Sequence, residues 1–149
     1  MRLHPAVSMP LERYVPSQGL NLPEGSYIPP GVAVGINPYI VGRNKKLWGH
    51  DADEFRPERW LQMTDESESI YKERLRVMKA ADLAFGGGSR VCIGRNLALV
   101  ETYKMVATLV SRFEIELVDP TREWSVLGLW FFRQKGIICN LKRRGAKTG

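Results

Sequence analysis

One cysteine carries most of the chemical information in this chain. Cys92 lies in the run Phe85-Gly86-Gly87-Gly88-Ser89-Arg90-Val91-Cys92-Ile93-Gly94, directly ahead of the helical run Arg95–Arg112. A helix that begins at Ile93 or Gly94 turns its positive dipole end and its unsatisfied N–H groups back toward the sulfur. That setting favours a thiolate able to hold a metal. The glycines permit a tight turn and let a flat cofactor come close to the backbone. Arg90 stands two residues ahead, and a guanidinium suits a carboxylate arm of such a cofactor. A lone intracellular cysteine packs more often as a small hydrophobe, so the whole string carries the reading.

The elements that must position this run follow from prolines, glycines and periodicity. Residues 1–4 read as the end of a helix stopped by Pro5. Residues 6–16, punctuated by Pro10 and Pro16, read as extended. Residues 20–22 and 26–28 flank Pro23-Glu24-Gly25 as a hairpin, and Pro29-Pro30-Gly31 turns the chain into a strand over 32–36. Residues 37–48 read as a short helix and loop. Residues 64–80 read as a helix capped by Thr64, acidic at its start and basic at its end, or as a solvated irregular segment.

The helix over about 93–112 has one polar stripe, Glu101, Lys104, Thr108 and Ser111/Arg112. Leu97, Val100, Tyr103, Val106, Ala107 and Val110 fill a wide apolar remainder, which predicts deep burial. A strand over 113–118 and a turn at Asp119-Pro120 lead to a terminal β-hairpin at about 124–142. Its strands, 124–132 and 136–142, enclose Arg133-Gln134-Lys135. The tail 143–149 is basic and has no pattern that would order it.

At 149 residues the chain is long enough for one ordinary domain, and with 44% hydrophobic and 26% charged residues its composition is globular. Cys92 and Cys139 make no disulfide framework, and the apolar run Ile137-Ile138-Cys139 places the second cysteine in core. No window approaches the roughly 18 uninterrupted apolar residues of a spanning helix, and the amino terminus lacks the apolar centre of a secretory signal. The balance of 22 Lys+Arg against 16 Asp+Glu gives +6. No basic patch interleaved with aromatics accompanies it, which argues against nucleic acid. The charge suits docking of an acidic protein, or simply a solvated surface. A zinc or thiol-redox module would need a second Cys/His pair or a C-x-x-C, and neither occurs.

The cysteine string matches F-x-x-G-x-R-x-C-x-G, and so resembles the haem-binding signature of the cytochrome P-450 family of haem-thiolate monooxygenases. Phe85, Gly88, Arg90, Cys92 and Gly94 occupy its fixed positions. Arg2-Leu3-His4-Pro5 is similar to the second half of the family's E-x-x-R-L-H-P. Phe55-Arg56-Pro57-Glu58-Arg59-Trp60 resembles its P-E-R-F element, with Trp60 where filamentous-fungal members often carry that residue. The resemblance implies a fold that is mainly α with small β-sheets, of which residues 1–149 would be an α+β C-terminal fragment. The glutamate of E-x-x-R would lie two residues before Met1. Arg59 would meet Arg2 around that missing carboxylate, and two buried guanidiniums without an anion cost several kcal/mol. The chain alone is therefore expected to be poorly stable.

The resemblance further implies haem b, an iron protoporphyrin, ligated by the Cys92 thiolate and paired through a propionate with Arg90. Arg13 falls where the family places a second propionate partner, and would otherwise be an exposed loop cation. Val7, Ser8 and Met9 fall on a strand that lines the substrate pocket, or are core. Leu129-Trp130-Phe131, Trp130 above all, is the matching loop candidate, or ordinary sheet packing. The implied activity is NADPH-driven insertion of one oxygen atom into an apolar organic substrate. Electrons would come through an acidic NAD(P)H-dependent reductase docked near Arg95 and Lys104. Any membrane anchor, at the endoplasmic reticulum by resemblance, would lie in an N-terminal part not present here. The alternative is a non-catalytic remnant or mis-called gene of such an enzyme.

Overall fold

Pro10 and Pro16 keep helix out of the opening stretch, and Leu11–Tyr14 forms strand β1. It pairs antiparallel with β4, Ala33–Ile36, in the register Leu11↔Ile36 and Tyr14↔Ala33. Between them β2, Leu20–Asn21, and β3, Tyr27–Ile28, close the hairpin expected around Pro23-Glu24-Gly25. This computed structural model describes residues 1–7, 9–128 and 130–145. They form two compact units, Met1–Gly86 with Leu129–Phe131, and Gly87–Gly128 with Phe132–Gly149. Helices and small antiparallel two-stranded sheets make it an α+β chain.

In the first unit two asparagines start two short helices. Asn37 caps α1, Pro38–Val41, by accepting from the Tyr39 and Ile40 N–H groups, and Asn44 caps α2, Lys45–Trp48, through the Lys46 N–H. A 3-10 turn follows at Pro57–Trp60, and then α3, Glu68–Ala81. The α3 cap is Ser67, whose hydroxyl accepts from the Ile70 N–H, and not Thr64. Glu66 and the residues before it are held in a turn, which delays the helix start. Residues 1–4 are not helical, because Arg2 is drawn instead to backbone carbonyls of residues 42–54.

The core of this unit is small. Trp48, Ala52 and Met78 are buried, with Leu47, Trp60 and Ala81 packed around them. The two indoles meet edge to face at 5.8 Å, and Trp48 Nε1 donates to the Val41 carbonyl at 2.9 Å. Gly42 is needed where Arg2 crosses α1, since a Cβ there would stand 2.7 Å from the Arg2 carbonyl oxygen.

The second unit runs from a 3-10 turn, Gly88–Arg90, into α4, Arg95–Arg112, and then β5, Phe113–Leu117. Strand β6, Ser125–Gly128, pairs with β7, Phe132–Lys135, while β8, Cys139–Arg143, pairs with β5. The expected terminal hairpin is thus corrected. Arg133-Gln134-Lys135 is strand rather than turn, which a two-stranded ribbon open to water on both faces tolerates. The stretch expected to be its second strand joins β5 instead.

Two burial expectations fail in this unit. No residue of α4 is buried, and Leu97, Tyr103 and Val106 are exposed by 64%, 71% and 50%. Cys139 is exposed on its two-stranded sheet. The described residues supply no second layer over either surface. No helix among them is long and apolar enough to cross a membrane.

This distribution of burial gives a direct comparison. Trp48→Ala should lower the unfolding free energy of the chain by about 3–5 kcal/mol in a urea titration. Leu97→Ala should change it by no more than about 0.5 kcal/mol. Equal losses for the two would contradict this placement of the core.

Candidate functional site

The cysteine loop is shaped by glycines and the start of a helix. Gly86 and Gly88 adopt φ of 74° and 59°, the left-handed region that costs a side chain strain. A Cβ at Gly88 would meet nothing within 4 Å, so the backbone there lies open to an approaching group. The Val91 N–H donates to the Gly88 carbonyl at 3.3 Å, and the Arg95 N–H to the Cys92 carbonyl at 3.2 Å. Gly94 is the N-cap of α4, and a Cβ there would stand 3.9 Å from Cys92 Sγ. The thiol therefore lies against the head of an 18-residue helix.

Cys92 is exposed, and so are its apolar neighbours Val91 and Ile93. Arg90 is exposed and makes no ion pair among the described residues. Phe85 is half-buried and belongs to the first unit. No group of three His, Cys, Asp or Glu among the described residues could hold a metal ion. A single thiol donor with apolar flanks, an open glycine and an uncommitted cation does not suit tetrahedral zinc. It is a set that would hold a flat, largely apolar ring with anionic arms through one thiolate, as in haem.

A second cluster lies within the first unit. The Arg59 side chain is 7% exposed. Its Nη1 donates to the Trp48 carbonyl at 2.7 Å and to Asp51 Oδ1 at 3.2 Å, and its Nη2 to the Asp51 and Glu54 carbonyls at 3.0 and 3.4 Å. Arg2 reaches the same stretch, donating to the carbonyls of Gly42, Ala52 and Glu54, with its guanidinium 5.0 Å from the centre of the Trp48 ring. Arg2 and Arg59 thus meet, sharing the Glu54 carbonyl. The expectation that both lack an anion is corrected, because Asp51 provides one for Arg59, and Arg56 completes the pairing at 2.7 Å. Neither the Asp51 pairing nor the use of carbonyls 48–54 was visible beforehand. The Asp before an F-R-P-E-R-W string was the available signal.

Arg59 Nε is buried and has no hydrogen-bond partner among the described residues. Hydrogen bonding from Arg56, then from Arg59, holds the Asp51 carboxyl below its ordinary range against the opposing effect of burial. Burial and the charges of Arg59 and Arg43 push Arg2 downward, and burial with Arg43 does the same to His4.

The remaining candidates are placed as follows. Val7 forms an isolated antiparallel bridge with Phe131, which brings the two predicted substrate segments side by side. Met9 and Trp130 are exposed there, while Ser8 and Leu129 lie outside the described residues. Arg13, on β1, is exposed and donates to the Glu12 carbonyl at 2.6 Å. An apolar cleft of about 310 Å³ in the second unit, lined by Leu117, Val118, Trp124, Ile137 and Ile138 among others, contains none of the predicted site residues.

A family model described as Cytochrome P450 matches residues 1–139. Cytochrome P450 monooxygenase cfoH of Aspergillus candidus is 57% identical over 99% of this chain and 28% of its own length. Cytochrome P450 monooxygenase esdpH of Penicillium shearii is 42% identical over 97% of this chain and 27% of its own length. Cytochrome P450 monooxygenase pkfB of Emericella nidulans is likewise 42% identical, over 97% and 26%. The chain therefore spans little more than a quarter of these relatives.

The lowered Asp51 carboxyl has a consequence for pH. A depressed carboxyl contributes stability that is fully present above its unfolded value and is lost as pH falls through the folded one. Urea midpoints should hold steady at neutral pH and fall on acidification below the ordinary carboxylate range. Asp51→Asn should be less stable at neutral pH and flatter on the acid side. An Asn variant as stable as the parent at pH near 7 would show that the pair contributes nothing.

Proposed function

The chain belongs to the cytochrome P450 family, and on that premise we propose that Cys92 is the thiolate ligand of a haem b in a monooxygenase. The observation that carries this reading is the exposed Cys92 thiol lying against the N-terminus of α4 inside an intact F-x-x-G-x-R-x-C-x-G string. Arg90, exposed and without an ion pair among the described residues, would hold one propionate, and Arg13 a second. The bare backbone at Gly88 and Gly94 would let the ring approach, and Phe85 would contribute as the first fixed residue of the same string. The helix head would offset the charge on sulfur. When bound, the haem supplies oxygen activation with electrons drawn from NADPH through a reductase.

The chain's own residues would bind and orient. The bridge between Val7 and Phe131 gathers Val7, Met9 and Trp130 into neighbouring segments with exposed apolar surface, which supports an apolar organic substrate. Arg95 and Lys104 on α4 would meet an acidic reductase. By family we place an enzyme of this kind at the endoplasmic reticulum membrane, and we assign turnover to a polypeptide of the relatives' full length. The apolar sides of α4 are uncovered here, and the relatives are more than three times as long over their full extent.

Haem titration followed by absorbance tests the assignment. The chain should take up haem with one spectrum, Cys139→Ser should reproduce that spectrum, and Cys92→Ser should lose it. The same haem spectrum in Cys92→Ser would remove Cys92 as the ligand.

A further inference from the structure

The main chain around Arg59 is held from outside its own turn. The last carbonyls of a helical turn have no partner within it, and at Pro57–Trp60 three successive ones are met by two side chains of α3. Arg74 donates to the Arg59 carbonyl through Nη1 and to the Leu61 carbonyl through Nη2 at 2.9 Å. The Tyr71 hydroxyl donates to the Trp60 carbonyl between them at 2.9 Å. Tyr71 and Arg74 are three residues apart, which puts both on one side of the helix.

Arg74 is itself fixed. Its Nε and Nη2 donate to the two oxygens of Glu66, both at 2.7 Å, in the fork geometry that only a guanidinium offers. The Glu66 side chain is 4% exposed and also accepts from the Met63 N–H at 3.3 Å. The other ion pairs of α3 differ. Arg76–Glu73 and Lys72–Glu68 lie on the surface with both partners more than 60% exposed, where such pairs contribute little. One arginine of the helix, Arg74, is built in, and the other, Arg76, is solvated.

We propose that Glu66, Tyr71 and Arg74 are positioning residues that clamp the backbone of residues 59–61 and thereby fix the direction of the buried Arg59 guanidinium. Arg59 is then held twice. Its side chain is gripped by Asp51 and the Trp48 carbonyl, and its main chain by α3. With both ends fixed, the remaining Nε–H keeps a single orientation although no group among the described residues accepts from it. Tyr71 and Arg74 do not touch the Arg59 guanidinium; they act on it through its own carbonyl and those of the next two residues. The proposal rests on the first unit alone and stands whether or not Cys92 binds haem.

The test follows the Arg59 Nε–Hε resonance of the 149-residue chain by nitrogen-edited NMR, identified by its loss in Arg59→Lys. In the parent this proton should exchange slowly with water. Arg74→Gln and Glu66→Gln should each shift the resonance and speed its exchange about tenfold or more, the factor for losing one hydrogen bond to a charged group. Arg76→Gln, on the same helix, should leave it unmoved. Tyr71→Phe removes one donor and keeps the ring, so it should give a smaller change of the same sign. It also decides the matter if Arg74→Gln fails to fold. An Arg59 signal unchanged in folded Arg74→Gln, or in Tyr71→Phe where that is the deciding variant, would overturn the proposal. So would one moved equally by Arg76→Gln.

Discussion

A guanidinium removed from water must be given acceptors, and the burial of Arg59 sets the form of the first unit. A buried cation left unpaired would cost more than a core of this size returns. The chain between Trp48 and Glu54 answers by turning its carbonyls and the Asp51 carboxylate inward. That turn seats Ala52 in the core beside Trp48 and gives Arg2 the carbonyls it needs. It also leaves α3 as the element that meets the outward carbonyls of residues 59–61. A small apolar core and a polar lattice therefore share residues, Trp48, Ala52 and Trp60 among them.

The second unit follows a different logic. Its helix α4 is apolar over most of its circumference and has no buried residue, so its hydrogen-bonded ladder and its direct continuation into β5 are what the described chain supplies. Such a surface gains its stabilisation only when another layer covers it. The head of the helix, by contrast, is shaped locally. A left-handed glycine, a short turn and an N-cap glycine present the Cys92 thiol without help from distant residues. The chemistry of the loop and the stability of the scaffold behind it are thus set at different ranges along the chain.

That division explains what could be read beforehand. Several local signals held. The Pro-Glu-Gly hairpin formed, α4 runs to Arg112 as its periodicity required, and Gly86 and Gly88 of the cysteine string take left-handed backbone angles that glycine accepts readily. Pairings between distant segments were not legible. The β1–β4 pair was unforeseen, and β8 chose β5 over the neighbouring strand, because strand partners are selected by packing and not by the strand's own residues. Ser67 displaced Thr64 as a cap once Glu66 was committed to Arg74. Asp51 could not be recognised as the partner of Arg59 from spacing, since the contact depends on how the intervening turn folds. The stripe on α4 predicted a deep burial that the described residues do not show, because periodicity does not say whether a covering layer belongs to the same stretch of chain.

The central claim is that Cys92 presents a thiolate to haem iron. The reduced, carbon-monoxide-bound absorption spectrum of the haem-reconstituted chain tests it most directly. The account predicts a Soret band of the thiolate-ligated kind. A band of the imidazole-ligated kind, such as His4 or His50 would give, persisting in Cys92→Ser, would contradict it.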